Sequence, residues 1–304
     1  MKYAPGAHKL VHHLQHLSKM RNGVIVAPIH VSVWPTKKCQ FNCTYCCCRN
    51  DGGEEELALD EFEQAVEVLS FFGTKAIELS GGGEPLLWKH FEEAVKYISH
   101  MVKVSLITNG LALSGVTEET LRRLQWIRIS VVSMEQLENI DIETLKKHTN
   151  VSLSYIVSGD RMTMFPKLYA YSEKHSLVTR IATQKPSTPE VEAIVENTVN
   201  HYGSPFFFSH KEKGTPKGCY MAWIRAAIDW RGYFLPCPAI QTSPEYEGRI
   251  PKEFRLCHIS KLVEWLANNT PRDLGFRCQY CSCGKENNDF VHNLLNEVED
   301  VDFV

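Results

Sequence analysis

The sequence lacks the features of a secreted or membrane-spanning protein. Its apolar runs are short and interrupted, so no segment offers the roughly 20 consecutive apolar residues that a bilayer-spanning helix needs. The N-terminal segment has no apolar core followed by a small-residue cleavage site, and so does not resemble a secretory signal. We therefore predict a cytoplasmic protein without a membrane partner.

A large excess of charge of one sign is also missing. The formal net charge of the 304 residues is -3 and 23% of them are charged, which is ordinary for a globular protein. Proteins that neutralise phosphates usually carry a basic excess, so the composition gives no support to nucleic acid as a partner. The length is sufficient for one large domain and a small one.

Cysteine is absent from a long central stretch and abundant on either side of it. The eleven cysteines fall into two groups, one between residues 39 and 48 and the other between residues 219 and 283. Without a secretory signal a disulfide framework is not expected, and an odd number of thiols cannot pair completely. Metal ligation or redox chemistry is therefore the predicted use of these thiols.

Between residues 29 and about 183 the hydrophobic pattern alternates between strand and helix periodicity. Six strands are predicted, at 30–34, 75–79, 102–107, 127–132, 151–157 and 177–182. One of the intervening helices is expected to begin at Asp60 with Glu63 as its capping partner. Strands that alternate with helices predict an α/β fold with a parallel sheet, whose site forms at the carboxyl ends of the strands.

The pattern divides the chain into four parts: an N-terminal extension at 1–28, a core at 29–203, a small domain at 204–288 and an acidic tail at 289–304. In the extension, His8, His12 and His16 recur at helical spacing and could bind a metal. A solvated helix that packs on the core is the favoured interpretation of these histidines.

Cys39, Cys43 and Cys46 follow the first predicted strand with the spacing C-x3-C-x2-C. Three thiolates on one short loop can hold three irons of a [4Fe–4S] cluster and leave the fourth iron open. A structural zinc site would need a fourth ligand, and Cys47 and Cys48 lie on the same short loop. The spacing favours the cluster and keeps zinc as an alternative.

These cysteines and a glycine-rich turn resemble the two motifs of the radical S-adenosylmethionine (SAM) superfamily. The cluster motif of that superfamily is C-x3-C-x-aromatic-C, and Tyr45 stands at its aromatic position. The second motif, after the second strand, is present here as Gly82, Gly83, Glu84 and Pro85. The resemblance implies a partial (β/α)6 barrel over residues 29 to about 183 and a [4Fe–4S] cluster that binds SAM. It also implies that Glu84 and the carbonyl groups of the turn receive the ammonium group of SAM.

Weaker correspondences continue along the predicted barrel. Asn109 lies in the Thr-Asn-Gly segment that ends the third strand, and Ser133 or Ser130 could contact the ribose of SAM. Arg180 on the sixth strand could contact the carboxylate of SAM. A strand-end cap remains an alternative for Ser133, and a structural salt bridge remains one for Arg180.

The second group of cysteines begins with Cys219 and Cys237, which lie at the two ends of a predicted hairpin with Gly232 at its turn. Cys278 and Cys281 form a C-x2-C pair further along the chain. Four thiolates are enough for a fully ligated [4Fe–4S] cluster or for a structural zinc site.

This arrangement resembles the auxiliary-cluster domain of radical SAM enzymes with SPASM or shortened twitch extensions. Because only Cys283 follows the C-x2-C pair, the chain is similar to the twitch type, as in the dehydrogenase that oxidises 2-deoxy-scyllo-inosamine. The resemblance implies Cys219, Cys237, Cys278 and Cys281 as ligands. Cys283 could replace Cys281, and Cys257 is interpreted as an ordinary buried thiol.

The resemblance also implies a reaction. An external electron donor such as flavodoxin or ferredoxin reduces the first cluster, and SAM is cleaved to a 5′-deoxyadenosyl radical that abstracts a hydrogen atom from the substrate. A fully ligated auxiliary cluster could then accept an electron from the substrate radical, so that the net reaction is an oxidation. The 28 residues before the core are too few for a leader-peptide-binding domain, which favours a small molecule over a modified residue as substrate.

Three alternatives remain open on the sequence. An isomerase or epimerase would return hydrogen to carbon, with Cys47, Cys48 or Cys257 as the donor. A peptide- or nucleotide-modifying enzyme would use the same SAM chemistry on a larger substrate. A zinc-stabilised binding protein would use its cysteines for folding alone.

Overall fold

A computed structural model describes residues 7–48, 53–209, 215–242, 249–278, 281–284, 287–288 and 295. Most of the predicted acidic tail therefore lies outside the described residues. None of the helices formed by the described residues is long and apolar enough to cross a bilayer.

The described residues form nine α-helices and ten β-strands. The helices are α1 (Leu14–Arg21), α2 (Leu59–Phe71), α3 (Phe91–Ile98), α4 (Glu118–Arg123), α5 (Met134–Glu138), α6 (Ile142–His148), α7 (Phe165–Lys174), α8 (Pro189–Tyr202) and α9 (Leu262–Asn268). The strands are β1 (His30–Val33), β2 (Ala76–Leu79), β3 (Lys103–Thr108), β4 (Leu124–Ser130), β5 (Asn150–Val157), β6 (Thr179–Thr183), β7 (Phe206–Phe208), β8 (Arg225–Ile228), β9 (Tyr233–Leu235) and β10 (Cys257–His258).

All ten strands belong to one sheet with the order β10-β9-β8-β1-β2-β3-β4-β5-β6-β7. Strands β1 to β7 pair with their sequence neighbours in parallel. The sheet is open, because β7 and β10 stand at its two edges without pairing within the described part of the chain. The predicted α/β fold with a partial barrel is confirmed. Its parallel connections bring the carboxyl ends of β1 to β6 to one edge.

The core sheet continues one strand beyond the predicted limit at residue 203. β7 pairs in parallel with β6, and Phe207 stands opposite Arg180. A run of three apolar residues is too short for periodicity to distinguish it as a strand.

The C-terminal hairpin joins the same sheet next to the first strand. β8 pairs with β1 in parallel and places Ala226 opposite Val31, while β9 pairs with β8 in antiparallel. The backbone N–H of Trp34 donates to the carbonyl of Ile228 at 2.9 Å. The turn of the hairpin contains Gly232, whose φ of 74° suits glycine. Main-chain hydrogen bonds therefore fasten the C-terminal region to the barrel.

The helix predicted to begin at Asp60 begins one residue earlier, and the predicted capping was wrong. α2 starts at Leu59 after Ala58, and no side chain caps its first turn. Asp60 lies inside that turn, where a carboxylate complements the positive end of the helix dipole. Its side chain therefore acts on the helix through charge and not as an N-cap.

Two groups of buried apolar side chains hold the layers together. The larger group joins the sheet to its helices, for example through Phe62 of α2 and Leu168 of α7. The smaller group joins Leu17 and Met20 of α1 to Trp223 in the C-terminal region. Burial of each such side chain contributes about 1.5–3 kcal/mol to stability. The N-terminal extension thus packs against the C-terminal region, and His16 Nε2 lies 2.8 Å from the carbonyl oxygen of Trp223.

Candidate active site

Cys39, Cys43 and Cys46 lie on the loop that follows β1, at the carboxyl edge of the sheet. The backbone N–H of Cys46 donates to the carbonyl of Cys43 at 3.0 Å, which forms a tight turn between these two residues. Burial raises the pKa of Cys39, and the nearby Glu84, Cys46 and Cys43 raise it further. Thiols that repel one another's negative charge in this way need a cation to become thiolates together.

As they are placed, no three His, Cys, Asp or Glu side chains among the described residues stand close enough to hold a metal ion. Metal sites are commonly completed by the ion, which draws its ligands together. Whether an iron–sulfur cluster fits therefore depends on the spacing of the thiols and on their effect on one another's pKa. On both counts Cys39, Cys43 and Cys46 suit the three-thiolate cluster.

The glycine-rich turn is held against the cysteine loop by two backbone hydrogen bonds. Gly83 N donates to the carbonyl of Thr36 at 2.7 Å, and Glu84 N donates to that of Lys38 at 2.7 Å. A Cβ on Gly83 would lie 2.1 Å from the carbonyl oxygen of Lys38. Only glycine allows the two backbones to approach so closely. The two motifs singled out from the sequence are therefore in direct contact.

The C-terminal hairpin supplies a wall for this turn. The indole ring of Trp230 would lie 2.5 Å from a Cβ on Gly82. The ammonium group of Lys37 lies 5.3 Å from the centroid of the same indole, within the range of a cation–π interaction. Sequence reasoning missed Trp230, whose only signal was its position in the predicted hairpin turn.

The carboxylate of Glu84 is buried, with 2% of the residue exposed, and its oxygens already have donors. Oε1 accepts from Thr108 Oγ1 at 2.6 Å and from Leu86 N at 3.1 Å, and Oε2 accepts from Asn109 N at 2.7 Å. Burial raises the pKa of Glu84, while these three donors lower it. The carboxylate thus ties the glycine turn to the end of β3, and a contact between Glu84 and the ammonium group of SAM stays a prediction. Pro85, next in the chain, is buried and starts a short 3-10 turn.

Asn109 connects the end of β3 to the cysteine loop. Its Oδ1 accepts from Leu111 N at 3.0 Å and from Gln40 Nε2 at 3.3 Å. Its Nδ2 is buried and has no acceptor among the described residues. A buried donor without a partner costs about 1–3 kcal/mol, so an acceptor atom of a bound ligand fits at this point. SAM carries such acceptors in its carboxylate, ribose and adenine.

A cavity of about 350 Å³ opens at this edge of the sheet, between the two regions that carry the cysteines. Cys47, Cys48 and Tyr45 line it on one side and Ser282 lines it on the other. The ring of Tyr45 lies 4.2 Å from the guanidinium carbon of Arg161, which fixes its orientation. The cavity therefore has the position of a substrate site, at the carboxyl ends of the strands.

Ser130 lines this cavity, and Ser133 is not among its lining residues. Ser133 Oγ accepts from Gln136 N at 3.1 Å and caps α5, a helix that the sequence did not predict. In this structure the hydroxyl of Ser133 therefore acts as a cap, which was the alternative to a ribose contact.

The inner end of the cavity is rich in positive charge. Arg128 and Arg180 line it together with Glu78, and Arg225 Nη2 lies 3.6 Å from Glu78 Oε1. Arg180 Nη1 donates to Ser154 Oγ at 3.1 Å. Burial, together with the positive charges of Arg128 and Arg225, lowers the pKa of Arg180 to about 10. Three guanidinium groups around one carboxylate favour the binding of an anion.

A second cavity, of about 1320 Å³, lies beneath this charged group at the N-terminal ends of the strands. Arg128, Arg180 and Glu78 line both cavities. His12 and His13 of the N-terminal extension line the lower one. The His8 side chain lies outside the described residues.

The second group of cysteines gathers in the smaller apolar cluster, which contains Cys219, Cys237, Cys281 and Cys283, with Cys278 packed against it. Burial, together with the neighbouring thiols, raises the pKa of Cys219 and of Cys281 to about 12. Cys257 lies on β10 opposite Phe234, and its pKa is raised by burial alone. Five thiols of the C-terminal region therefore belong together, and Cys257 is separate from them.

Comparison with known proteins agrees with this geometry. Residues 34–157, less than half of the chain, match the Radical SAM superfamily. The chain carries a radical SAM domain. A domain of this superfamily is compatible with an oxidoreductase or with an isomerase or modifying enzyme.

Curated relatives of the radical SAM domain are named probable GTP 3′,8-cyclase. The protein of Methanocella arvoryzae is 32% identical over 33% of this chain and 33% of its own length. That of Pyrococcus abyssi is 31% identical over 46% of this chain and 44% of its own. The chain thus spans less than half of these two relatives. It spans 86% of the Methanococcus maripaludis protein, at 25% identity over 71% of this chain.

Two solved structures share the fold. Streptococcus suis SuiB bound to S-adenosylmethionine superimposes with a TM-score of 0.58 and 14% identity, over 78% of this chain and 67% of SuiB. The protein anSMEcpe with bound AdoMet and Kp18Cys peptide superimposes with a TM-score of 0.59 and 14% identity, over 91% of this chain and 86% of its own.

Proposed function

We propose that this enzyme cleaves SAM reductively to a 5′-deoxyadenosyl radical, abstracts a hydrogen atom from a substrate in the 350 Å³ cavity, and oxidises the substrate radical through an auxiliary [4Fe–4S] cluster. The observation that carries the proposal is the pair of 2.7 Å hydrogen bonds that hold the glycine turn against the cysteine loop. They hold the three-thiol loop and the glycine turn together beside one cavity, which Tyr45 and Gly81 of these two segments line.

Different residues of this site bind different parts of SAM. Cys39, Cys43 and Cys46 would hold the first cluster, which would bind SAM and supply the one-electron chemistry. The backbone carbonyls of Gly82 and Gly83 receive its ammonium group, and Asn109 Nδ2 donates to one of its acceptors. Tyr45 closes the side of the cavity, and the buried walls exclude water from the reacting atoms.

The oxidation is supported by the position of the second cysteine group. Ser282, between Cys281 and Cys283, lines the same cavity as Cys47 and Cys48 of the first loop. A substrate in this cavity would therefore lie between the two cysteine regions, where an electron can leave it toward the C-terminal side. An external donor such as flavodoxin or ferredoxin supplies the electron that starts each turnover.

Anaerobic reconstitution with iron and sulfide tests the proposal directly. We expect about eight irons per chain from two [4Fe–4S] clusters, and 5′-deoxyadenosine after addition of dithionite and SAM. Cys219→Ala should lower the count to about four, because it removes a ligand of the second cluster. Bound zinc, a colourless protein and intact SAM would contradict the proposal and leave a zinc-stabilised protein.

A second candidate function is a redox-neutral reaction on a nucleotide. The relatives named probable GTP 3′,8-cyclase favour it, and so does the excess of arginine at the inner end of the cavity. Phosphate groups pair well with guanidinium groups, and Arg128 and Arg180 line the cavity, while Arg225 pairs with Glu78.

GTP itself is the probe for this candidate. We expect the reconstituted protein to bind GTP, and Arg180→Met to weaken that binding by about 10- to 100-fold, the loss of one charge-assisted hydrogen bond. Arg122→Met is the control, since Arg122 pairs with Glu118 on the exposed face of α4. Calorimetry measures the GTP affinity of both variants. Equal affinities in the two variants, or no binding by the wild type, would reject the nucleotide.

A further inference from the structure

The C-terminal cysteine group contains one thiol more than a fully ligated [4Fe–4S] cluster needs. The five cysteines differ in how deeply they are buried. Four residues have exposed fractions of 7%, 8%, 9% and 8%, and these are Cys219, Cys237, Cys281 and Cys283. Cys278 is only half-buried and packs against their cluster. The buried set therefore differs from the set that the sequence implied.

Hydrogen bonds fix Cys283 relative to the segment that carries Cys219. The backbone N–H of Asn287 donates to the carbonyl of Cys283 at 2.8 Å. The side-chain Oδ1 of Asn287 accepts from the backbone N–H of Tyr220 at 3.3 Å. One buried asparagine thus joins the turn after Cys281 to the residue next to Cys219. This link ties the backbone of Cys283 to the residue next to Cys219.

Asn287 gives a second, independent sign of a bound group beside these thiols. The residue is 0% exposed, and its Nδ2 has no acceptor in the described part of the chain. The hydroxyl of Ser282 is also buried and has no hydrogen-bond partner in the described part of the chain. Buried donors of this kind need an acceptor, and the sulfur atoms of an iron–sulfur cluster accept hydrogen bonds. Ser282 precedes Cys283 in the chain, and Asn287 is hydrogen-bonded to the backbone of Cys283.

We propose that the auxiliary cluster is ligated by Cys219, Cys237, Cys281 and Cys283, and that Cys278 is a fifth thiol at its rim that does not bind iron. This assignment rests on the auxiliary cluster of the proposed function and specifies its ligands. Full ligation by protein thiolates leaves no open iron, as a centre that only transfers electrons requires. Cys278 then stays accessible to reagents in the intact protein.

Iron counting on the reconstituted full chain separates the two thiols. Cys283→Ala should fall from about eight irons per chain to about four, and Cys278→Ala should keep about eight. Cys257→Ala is the matched control, because Cys257 is a thiol of the same region outside the group. The electron paramagnetic resonance signal of the first cluster should persist in Cys283→Ala, which shows that the barrel has folded. Loss of four irons from Cys278→Ala, or none from Cys283→Ala, would overturn the assignment.

Alkylation gives a readout that needs no substitution. The reconstituted wild type, treated anaerobically with N-ethylmaleimide and mapped by mass spectrometry, should carry the label on Cys278 while its iron content stays constant. Protection of Cys278 together with labelling of Cys283 would overturn this assignment of ligands but would not contradict the auxiliary cluster itself. A wild type that holds only four irons would instead contradict the auxiliary cluster of the proposed function, and the assignment with it.

Discussion

Replacing Gly83 by alanine is expected to lower the rate of SAM cleavage by at least about 100-fold. The added Cβ would lie 2.1 Å from the carbonyl oxygen of Lys38 and 2.5 Å from the carbonyl carbon of Lys37. Both are main-chain atoms of the cysteine loop and cannot rotate away, so the turn and the loop must separate. Overpacking of this kind also costs about 1–3 kcal/mol of stability. Formation of 5′-deoxyadenosine and equilibrium binding of SAM measure the effect.

Gly115→Ala is the control for this substitution. A Cβ at Gly115 meets no atom within 4 Å, so the same chemical change is made without a clash. Its SAM affinity and cleavage rate should equal those of the wild type. Wild-type SAM affinity in Gly83→Ala would show that close contact between the two loops is not required for binding.

Glu84→Gln is expected to lower the free energy of unfolding by about 3 kcal/mol and to weaken SAM binding. The carboxylate accepts from Thr108 Oγ1, Asn109 N and Leu86 N, whereas an amide offers one oxygen and turns an NH₂ group toward a donor. Each buried donor left without an acceptor costs about 1–3 kcal/mol. Denaturant unfolding under anaerobic conditions gives the stability, and SAM titration gives the affinity.

Glu92→Gln is the matched control. Glu92 accepts from the backbone N–H of Thr117 at 2.6 Å at an exposed position, and a glutamine oxygen can replace that acceptor. Its stability should stay within about 0.5 kcal/mol of the wild type, as for ordinary surface substitutions. If Glu84→Gln is no less stable than this control, the carboxylate is not the tie between the glycine turn and β3.

The sequence located the strands of the barrel because each is a short apolar segment between helices of clear periodicity. It also placed Cys39 and Gly83 at neighbouring strand ends, since consecutive parallel strands have their carboxyl ends at one edge. The roles of particular polar atoms were harder to predict. Glu84 carries the charge that SAM needs, yet its partners are three donors of the protein itself, and no sequence pattern reports such a contact.

Long-range pairing explains the other differences. Ser133 follows a strand, where a cap and a ligand contact look the same until the direction of the next helix is known. A contact between Arg180 and SAM stays a prediction, and its electrostatic neighbours Arg128 and Arg225 come from strands distant in sequence. Trp230 contacts Gly82 only because β8 pairs with β1, and that parallel pairing has no local sequence signal.

The place of β1 in the sheet links the order of synthesis to the completion of the site. Val31 pairs with Ile77 on one side and with Ala226 on the other, so its second neighbour is translated far later than its first. Until then β1 is an edge strand with unpaired backbone groups, and the cysteine loop leaves from its end. Docking of β8 covers that edge and brings Trp230 against the glycine turn in one step. Docking of β8 therefore ends the exposure of the β1 edge in the same step as it completes the wall beside the glycine turn.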